Sequence, residues 1–237
     1  MMLEIRNLSK RYGRKIALDD FSCVFAPGIT GIIGPNGAGK STLMNLVTDN
    51  VRRDSGEILY GGTDVLKLGK AFRRVLGFMP QDQGMYDDMT ARGFLLYMAG
   101  LKGFHGRKAR EQAEDLLTLV DLKENAHRKL GGFSGGMRQR IMLSQALLGE
   151  PEVVILDEPT AGMDPAERVR ISEYIRQIAD HSIVLWSTHI LSDVESIADS
   201  ILIMNGGKML CHDSSEHLKE MHNAQDLEEL YFSLTGS

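Results

Sequence analysis

The sequence predicts an α/β fold with a mostly parallel sheet, an N-terminal antiparallel β subdomain and an inserted α-helical subdomain. Continuous apolar runs at 153–156 and 182–186 suit parallel strands whose two faces are both covered. Residues 3–25 mix polar and apolar positions around a turn at 12–14, as half-buried antiparallel strands do. Between 90 and 120, apolar residues recur at helical spacing with charges between them, which indicates helices.

These patterns divide the chain of 237 residues into the parts of a single domain. The core with its antiparallel subdomain takes residues 1–80 and 134–213, and the helical subdomain takes 81–133. A C-terminal helical tail takes 214–237. A chain of this length can bury one large core or two small ones.

The composition, 25% charged and 43% hydrophobic, indicates an ordinary soluble globular protein. A formal net charge of -5 argues against binding nucleic acid through bulk electrostatics, so no nucleic-acid partner is expected. No apolar run approaches the length of a membrane span and residues 1–10 lack a signal-peptide core, so we expect the chain not to cross a membrane by itself. Two cysteines, Cys23 and Cys211, are too few for a disulfide framework, which favours the cytoplasm.

The strongest motif is a glycine-rich loop at residues 34–41, which satisfies the pattern G-x-x-x-x-G-K-[ST]. An apolar strand-like run precedes it at 29–33, and good helix formers follow it. The glycines let successive backbone N–H groups turn inward and bind phosphate at a helix N-terminus. Lys40 can reach the β- and γ-phosphates, and the Ser41 hydroxyl can bind Mg²⁺.

An accidental match to this pattern is the alternative explanation of the loop. From average residue frequencies, an accidental match is expected in on the order of one per cent of chains this long. The strand–loop–helix context makes such a match rarer still. We therefore predict the core of a P-loop nucleoside triphosphatase that binds ATP and Mg²⁺. The predicted nucleotide-binding residues of this loop are Gly34, Pro35, Asn36, Gly37, Ala38, Gly39, Lys40, Ser41 and Thr42.

Two adjacent carboxylates, Asp157 and Glu158, end the apolar run at 153–156. Ligands of parallel sheets bind at the carboxyl ends of the strands, where these side chains would lie. Asp157 would support Mg²⁺, and Glu158 would orient or deprotonate the attacking water. The pair could instead begin a solvated loop, but together with the phosphate loop it predicts hydrolysis of ATP rather than binding alone.

A second phosphate-binding device is predicted at Ser134-Gly135-Gly136, within the stretch 133–140. Ser134 is a good N-cap for the apolar helix that follows, and the two glycines permit close approach of a phosphate to its N-terminus. One molecule of ATP does not obviously need two such devices on the same chain.

At this point the sequence resembles the ATP-binding cassette (ABC) ATPases over nearly its whole length. The family's usual signature is Leu-Ser-Gly-Gly-Gln, and this chain has Phe133 to Met137, in which the Ser-Gly-Gly core is kept and Met137 replaces the glutamine. That replacement removes one polar side-chain contact and leaves the backbone donors in place.

The resemblance implies roles for further residues, in the family's order along the chain. Tyr12 resembles the aromatic residue that stacks on adenine, and Gln81 resembles the glutamine that contacts Mg²⁺ and water. Asp164, in residues 161–164, resembles part of the loop that crosses the dimer interface, and His189 resembles the switch histidine at the γ-phosphate. Alone, each would more often be a packed or surface residue. The candidate catalytic residues are then Lys40, Glu158 and His189, and the metal ligands are Ser41, Gln81 and Asp157.

The resemblance also implies partners. Two cassettes pair head to tail, so ATP lies between the phosphate loop of one subunit and residues 134–136 of a second copy or a related cassette. A separate polytopic membrane permease would bind through Gln81, residues 82–86 and the helical insert, holding this cytoplasmic chain at the inner face of the membrane. Residues 133–138 and the short acidic C-terminal helix resemble the exporter-type subgroup, which includes drug, antibiotic, lipid and polysaccharide exporters.

Two other classes compete with a transporter subunit. One is a non-transport ABC ATPase, such as a component of iron–sulfur cluster assembly, whose length is compatible with this chain. The other is a catalytically inactive regulatory cassette, which the presence of Lys40, Glu158 and His189 disfavours. Homodimer and heterodimer both stay open, because one chain carries both halves of a site.

Overall fold

The protein is described by a computed structural model that covers residues 1–81, 84 and 86–236. Within this part of the chain the strands form two sheets, ordered β2–β1–β4–β5 and β10–β9–β3–β8–β7–β6. Their bounds are β1 (Leu3–Tyr12), β2 (Lys15–Phe25), β3 (Gly28–Ile33), β4 (Ser55–Tyr60), β5 (Thr63–Asp64), β6 (Leu76–Met79), β7 (Val153–Asp157), β8 (Ile183–Thr188), β9 (Ser200–Asn205) and β10 (Lys208–Asp213).

The helices lie between and after these strands. Their bounds are α1 (Lys40–Val47), α2 (Val65–Leu68), α3 (Lys70–Val75), α4 (Ala91–Leu101), α5 (Gly106–Leu119), α6 (Gly135–Ala146), α7 (Pro165–Ala179), α8 (Leu191–Glu195), α9 (Ser215–His222) and α10 (Leu227–Thr235). Among the described residues, no helix has both the length and the apolar character that a membrane span requires.

The larger sheet brings three chain segments to one edge. Strands β9, β3, β8, β7 and β6 pair in parallel, and β10 pairs antiparallel with β9. The register aligns Ile33 with Thr188 and Asp157 with Ser187. The residues that follow β3, β7 and β8 therefore emerge side by side, at the edge where parallel sheets bind ligands.

Side-chain alternation along the central strands builds a separate core on each face of the larger sheet. On β7, Val154 and Leu156 point toward the helices α4 to α7 and α10. Val153 and Ile155 point toward the antiparallel sheet and α1. All four side chains are fully buried. A continuous apolar run is thus required for β7, because neither of its faces meets solvent.

Trp186 is the largest fully buried side chain, and it lies on β8 in the core that faces the helices. Its indole Nε1 has no hydrogen-bond partner among the described residues. Strand β8 ends at Thr188. His189 follows directly, three residues after Trp186 in the sequence.

The fold class predicted from sequence is confirmed: an antiparallel N-terminal sheet, a mostly parallel second sheet and a helical insert between β6 and β7. Helix α7 has Asp164 as its N-cap and proline at its first position. Sequence patterns missed β5, α2, α3 and β6. Strand β6 is short and contains Gly77. Glycine is needed there because a Cβ would clash with the Ala146 carbonyl oxygen. The division at 81, 134 and 214 stays a prediction.

Candidate functional site

The phosphate loop connects β3 to α1, as the motif predicts. Gly39 is the N-cap residue of α1 and has φ 106°, a conformation that L side chains rarely adopt. A Cβ there would lie 2.6 Å from the Ala17 carbonyl oxygen of the neighbouring strand. Glycine is therefore needed at this position both for the turn and for the approach of β2.

Lys40 begins α1 and turns its side chain back into the loop. Its Nζ donates hydrogen bonds to the Gly34 and Pro35 carbonyl oxygens, at 2.7 and 3.4 Å, and the residue is only 7% exposed. Burial lowers the pKa of the Lys40 ammonium, an effect that the nearby charges of Glu158 and Asp157 oppose. The ammonium is thus held inside the loop, close to where phosphates would bind.

Two predicted metal ligands, Ser41 and Asp157, lie together although they are far apart in sequence. The Ser41 Oγ donates to Asp157 Oδ1 at 3.3 Å, and Ser187 Oγ donates to the same oxygen at 2.5 Å. Mg²⁺ prefers hydroxyl and carboxylate oxygens and usually keeps several waters, so this pair suits it. The remaining predicted ligand, Gln81, is exposed and lines the same cleft.

Glu158 and His189 form the other predicted pair of the site. The Glu158 Oε2 lies 2.8 Å from His189 Nδ1, with the glutamate residue 7% exposed and the histidine side chain 60% exposed. Glu158 has φ 52°, and its N–H donates to both the carbonyl and the hydroxyl of Ser187, each at 3.1 Å. These bonds hold an uncommon backbone conformation and direct the carboxylate into the cleft.

One cleft of about 440 Å³ is shared by Lys40, Ser41, Gln81, Glu158 and His189, whereas Asp157 is not part of its lining. Its lining residues are Lys15, Ala17, Gly34, Pro35, Asn36, Gly37, Ala38, Gly39, Lys40, Ser41, Thr42, Gln81, Glu158, His189 and Tyr231. Sequence reasoning missed Lys15, Ala17 and Tyr231. The first two follow the hairpin turn after Tyr12 and could have been suspected from that position, whereas Tyr231 reaches the cleft only through packing of the tail.

Tyr12, the predicted adenine-stacking residue, lies outside the lining of this cleft. Its ring is 48% exposed at the end of β1, and Lys10 Nζ lies 5.5 Å from the ring centroid. An exposed aromatic face at the end of a strand is available for a base to stack on, so its role stays a prediction.

Ser134 is the N-cap of α6, as predicted, and its Oγ accepts a hydrogen bond from the Met137 N–H at 3.3 Å. Gly135 is exposed, and an added Cβ there would meet nothing within 4 Å. Met137 packs against the core that contains the helices. Among the described residues, none from 134 to 137 lines the cleft of the same chain, so this predicted phosphate-binding segment lies apart from the phosphate loop.

A buried carboxylate that the sequence reasoning missed, Asp193 on α8, connects the loop after β7 to α7. Thr160 Oγ1 donates to Asp193 Oδ2 at 2.7 Å, and Arg168 Nη1 donates to Asp193 Oδ1 at 3.3 Å. Asp164, predicted at the dimer interface, caps α7 by accepting from the Glu167 N–H at 2.9 Å and is itself exposed. The loop 159–164 is therefore held at both ends.

Comparison with known proteins decides the family. The profile of the family described as ABC transporter matches residues 18–161, which is more than half of the chain. The chain belongs to the ABC transporter ATP-binding family. Members of this family bind and hydrolyse ATP. The predicted resemblance to the ABC ATPases is thus confirmed.

Relatives and solved structures of the ABC family match over most of the chain. The ABC transporter ATP-binding protein YxlF of Bacillus subtilis is 37% identical, covering 92% of this chain and 73% of the relative. The linearmycin resistance ATP-binding protein LnrL of the same organism is 36% identical, covering 88% and 68%. The daunorubicin resistance ATP-binding protein DrrA3 of Streptomyces coeruleorubidus is 34% identical, covering 92% and 69%. A solved ATP-binding subunit of an ABC transporter aligns with TM-score 0.88 at 28% identity, covering 99% of both chains.

Proposed function

We propose that this ABC ATPase uses ATP hydrolysis to drive a separate membrane permease, with Lys40, Glu158 and His189 as its catalytic residues. The Glu158–His189 pair carries this proposal, because it places a buried carboxylate at the phosphate end of the cleft. A binding-only cassette would not need a carboxylate held in that position. This arrangement disfavours the regulatory alternative.

Different groups of the chain have different roles in phosphoryl transfer. The loop N–H groups and Lys40 bind the β- and γ-phosphates, and the Glu158 carboxylate orients the attacking water and accepts its proton. His189 holds Glu158 through their hydrogen bond, and its exposed side chain would reach the γ-phosphate of bound ATP. Ser41, Asp157 and Gln81 would hold Mg²⁺, which neutralises charge on the phosphates when bound.

A dimer completes the site in this proposal. Residues 134–136 face a space separate from the cleft of their own chain, so they are free to meet ATP bound to a partner subunit. The partner is a second copy of this chain or a related cassette, and the exposed Asp164 would lie at their interface. Because one chain carries both halves of a site, a homodimer with closed symmetry would contain two identical composite sites. A homodimer is therefore chemically sufficient.

The permease would bind at Gln81, residues 82–86 and the helical insert, on the cytoplasmic face of the membrane. Residues 82, 83 and 85 lie outside the described part of the chain. We place the transporter among exporters of drugs, antibiotics, lipids or polysaccharides. The names of LnrL and DrrA3, which refer to linearmycin and daunorubicin resistance, support export, as does the resemblance of residues 133–138.

Affinity purification of the tagged chain from its own cells, in mild detergent, tests the coupling to transport. We expect a polytopic membrane protein to copurify and to stimulate ATP turnover. The Lys40→Ala variant is the control, because it should copurify with the same membrane protein and lose turnover. Recovery of soluble iron–sulfur assembly factors without a membrane protein would contradict transport and favour the alternative.

A further inference from the structure

Tyr231, on the C-terminal helix α10, forms part of the wall of the nucleotide cleft. It lies beside the phosphate loop, Lys15, Glu158 and His189, although none of the family motifs includes it. Because it reaches the cleft from a different element than all of these, its presence there needs a separate explanation.

Helix α10 is fixed against the rest of the protein. Leu227 and Leu230 are fully buried in the core that faces the helices, and Asp226 caps the helix by accepting from the Glu229 N–H at 2.8 Å. The Leu227 N–H also donates to Glu195 Oε1 at 3.4 Å, at the end of α8. Since α8 begins two residues after His189, α10 is supported by the same segment that carries the switch histidine.

The lining of the cleft indicates which part of a nucleotide Tyr231 faces. The lining residues with predicted roles all act at the phosphates, whereas Tyr12, predicted to stack on the base, is not among them. The Tyr231 hydroxyl has no hydrogen-bond partner among the described residues; its backbone carbonyl accepts from Thr235 Oγ1 at 2.8 Å. A phenol is a neutral donor at physiological pH, so it can bind a phosphate oxygen without adding charge.

We propose that Tyr231 is a nucleotide-binding residue whose phenolic hydroxyl donates a hydrogen bond to the phosphate chain of bound ATP. This inference rests on the proposed ATP-binding role of the cleft and adds the tail helix to it. Binding of nucleotide at this cleft is thereby coupled directly to the position of α10.

Equilibrium titration of the isolated subunit with Mg·ADP and with inorganic triphosphate tests this contact. A hydrogen bond to a charged phosphate predicts that Tyr231→Phe weakens both ligands about tenfold. The Ser233→Ala variant is the matched control, because it removes an exposed hydroxyl from the same helix outside the cleft. It should bind both ligands as the wild type does.

The phenylalanine variant keeps the ring, so the thermal midpoint of the nucleotide-free protein should not change. Unchanged binding in Tyr231→Phe would overturn the inference. So would a loss of ADP affinity with unchanged triphosphate affinity, which would move the contact to the nucleoside. A wild-type subunit that binds neither ligand would instead refute the ATP-binding cleft itself, and this is a distinguishable failure.

Discussion

At the scale of single residues, the backbone of Glu158 sets the position of its side chain, and the carboxylate supplies the charge. Its uncommon φ and its two N–H hydrogen bonds to Ser187 set the direction of the side chain. Ser187 also donates to Asp157, so one hydroxyl group orders both carboxylates at the end of β7. The charge of Glu158 can therefore be removed without disturbing the backbone that positions it.

We expect Glu158→Gln to bind ATP and to slow its hydrolysis by roughly 100-fold or more, because the amide cannot accept the proton of water. Phosphate release measures turnover, and gel filtration with ATP should show an accumulated ATP-bound dimer. The Glu173→Gln variant, at an exposed position on α7, should hydrolyse ATP normally. Normal turnover in Glu158→Gln would remove this residue from the mechanism.

The residues of the site differ in how far sequence alone could predict them. Lys40, Ser41, Asp157 and Glu158 could be predicted, since the chemistry of phosphate and Mg²⁺ binding imposes fixed local spacings on them. Tyr231 could not, because it reaches the cleft through the packing of α10 on α8, and packing between distant elements leaves no local pattern.

At the scale of elements, Lys102 joins the end of α4 to the segment that follows α6. It is the C-cap residue of α4, and its Nζ donates to the Leu148 carbonyl oxygen at 2.7 Å. Burial lowers the pKa of this ammonium to about 8. The helical insert is thus attached to the core helix through a group that titrates in the mildly alkaline range.

The free energy of unfolding should therefore depend on the charge of Lys102. Below pH 8 the ammonium is charged in both states, so the folded state bears the full cost of burying it. Between pH 8 and the unfolded-state pKa of about 10.4, only the unfolded state keeps the proton, so the wild type gains stability as pH rises.

We expect the stability of Lys102→Met relative to wild type to fall by about 2 kcal/mol from pH 7 to pH 10, because methionine cannot titrate. Urea unfolding at several pH values measures the difference. Lys70→Met, at an exposed position on α3, should show no such trend. A constant difference for Lys102→Met would mean that the buried ammonium does not govern this pH dependence.

Elements were predictable where their ends carry local signals. Helix α7 is preceded by a capping aspartate and begins with proline, and both residues act within one turn of the helix. Strand β6 has no such signals. It becomes a strand by pairing with β7, and its Gly77 reflects the close approach of the end of α6, a contact that only the folded chain defines.

At the scale of the whole molecule, the phosphate loop and the second predicted phosphate-binding segment, residues 134–136, lie on different surfaces. The cleft lies at the carboxyl ends of the parallel strands, and the N-terminus of α6 is not part of its lining. A subunit with a damaged phosphate loop therefore keeps an undamaged signature, and the reverse is also true. The two lesions should complement each other in a mixed dimer.

We expect coexpressed Lys40→Ala and Gly135→Asp subunits to recover part of the ATPase activity that each lacks alone. The mixed dimer keeps one composite site with an intact loop and an intact signature. The Asp side chain fits because nothing lies within 4 Å of a Cβ at Gly135, and its charge would repel the partner's ATP. Doubly tagged dimers isolate the mixed species, with Gly135→Ala as the uncharged control. An inactive mixed dimer would contradict sites shared between subunits.

The buried indole on β8 gives the protein an optical property. The sequence contains one tryptophan, so its tryptophan fluorescence comes from Trp186 alone. The ring is fully buried and its N–H is unpaired within the described chain, which favours blue-shifted emission that changes when water or a polar group approaches. Because the strand leads directly to His189, this emission would report a movement of the segment after β8 without an attached dye.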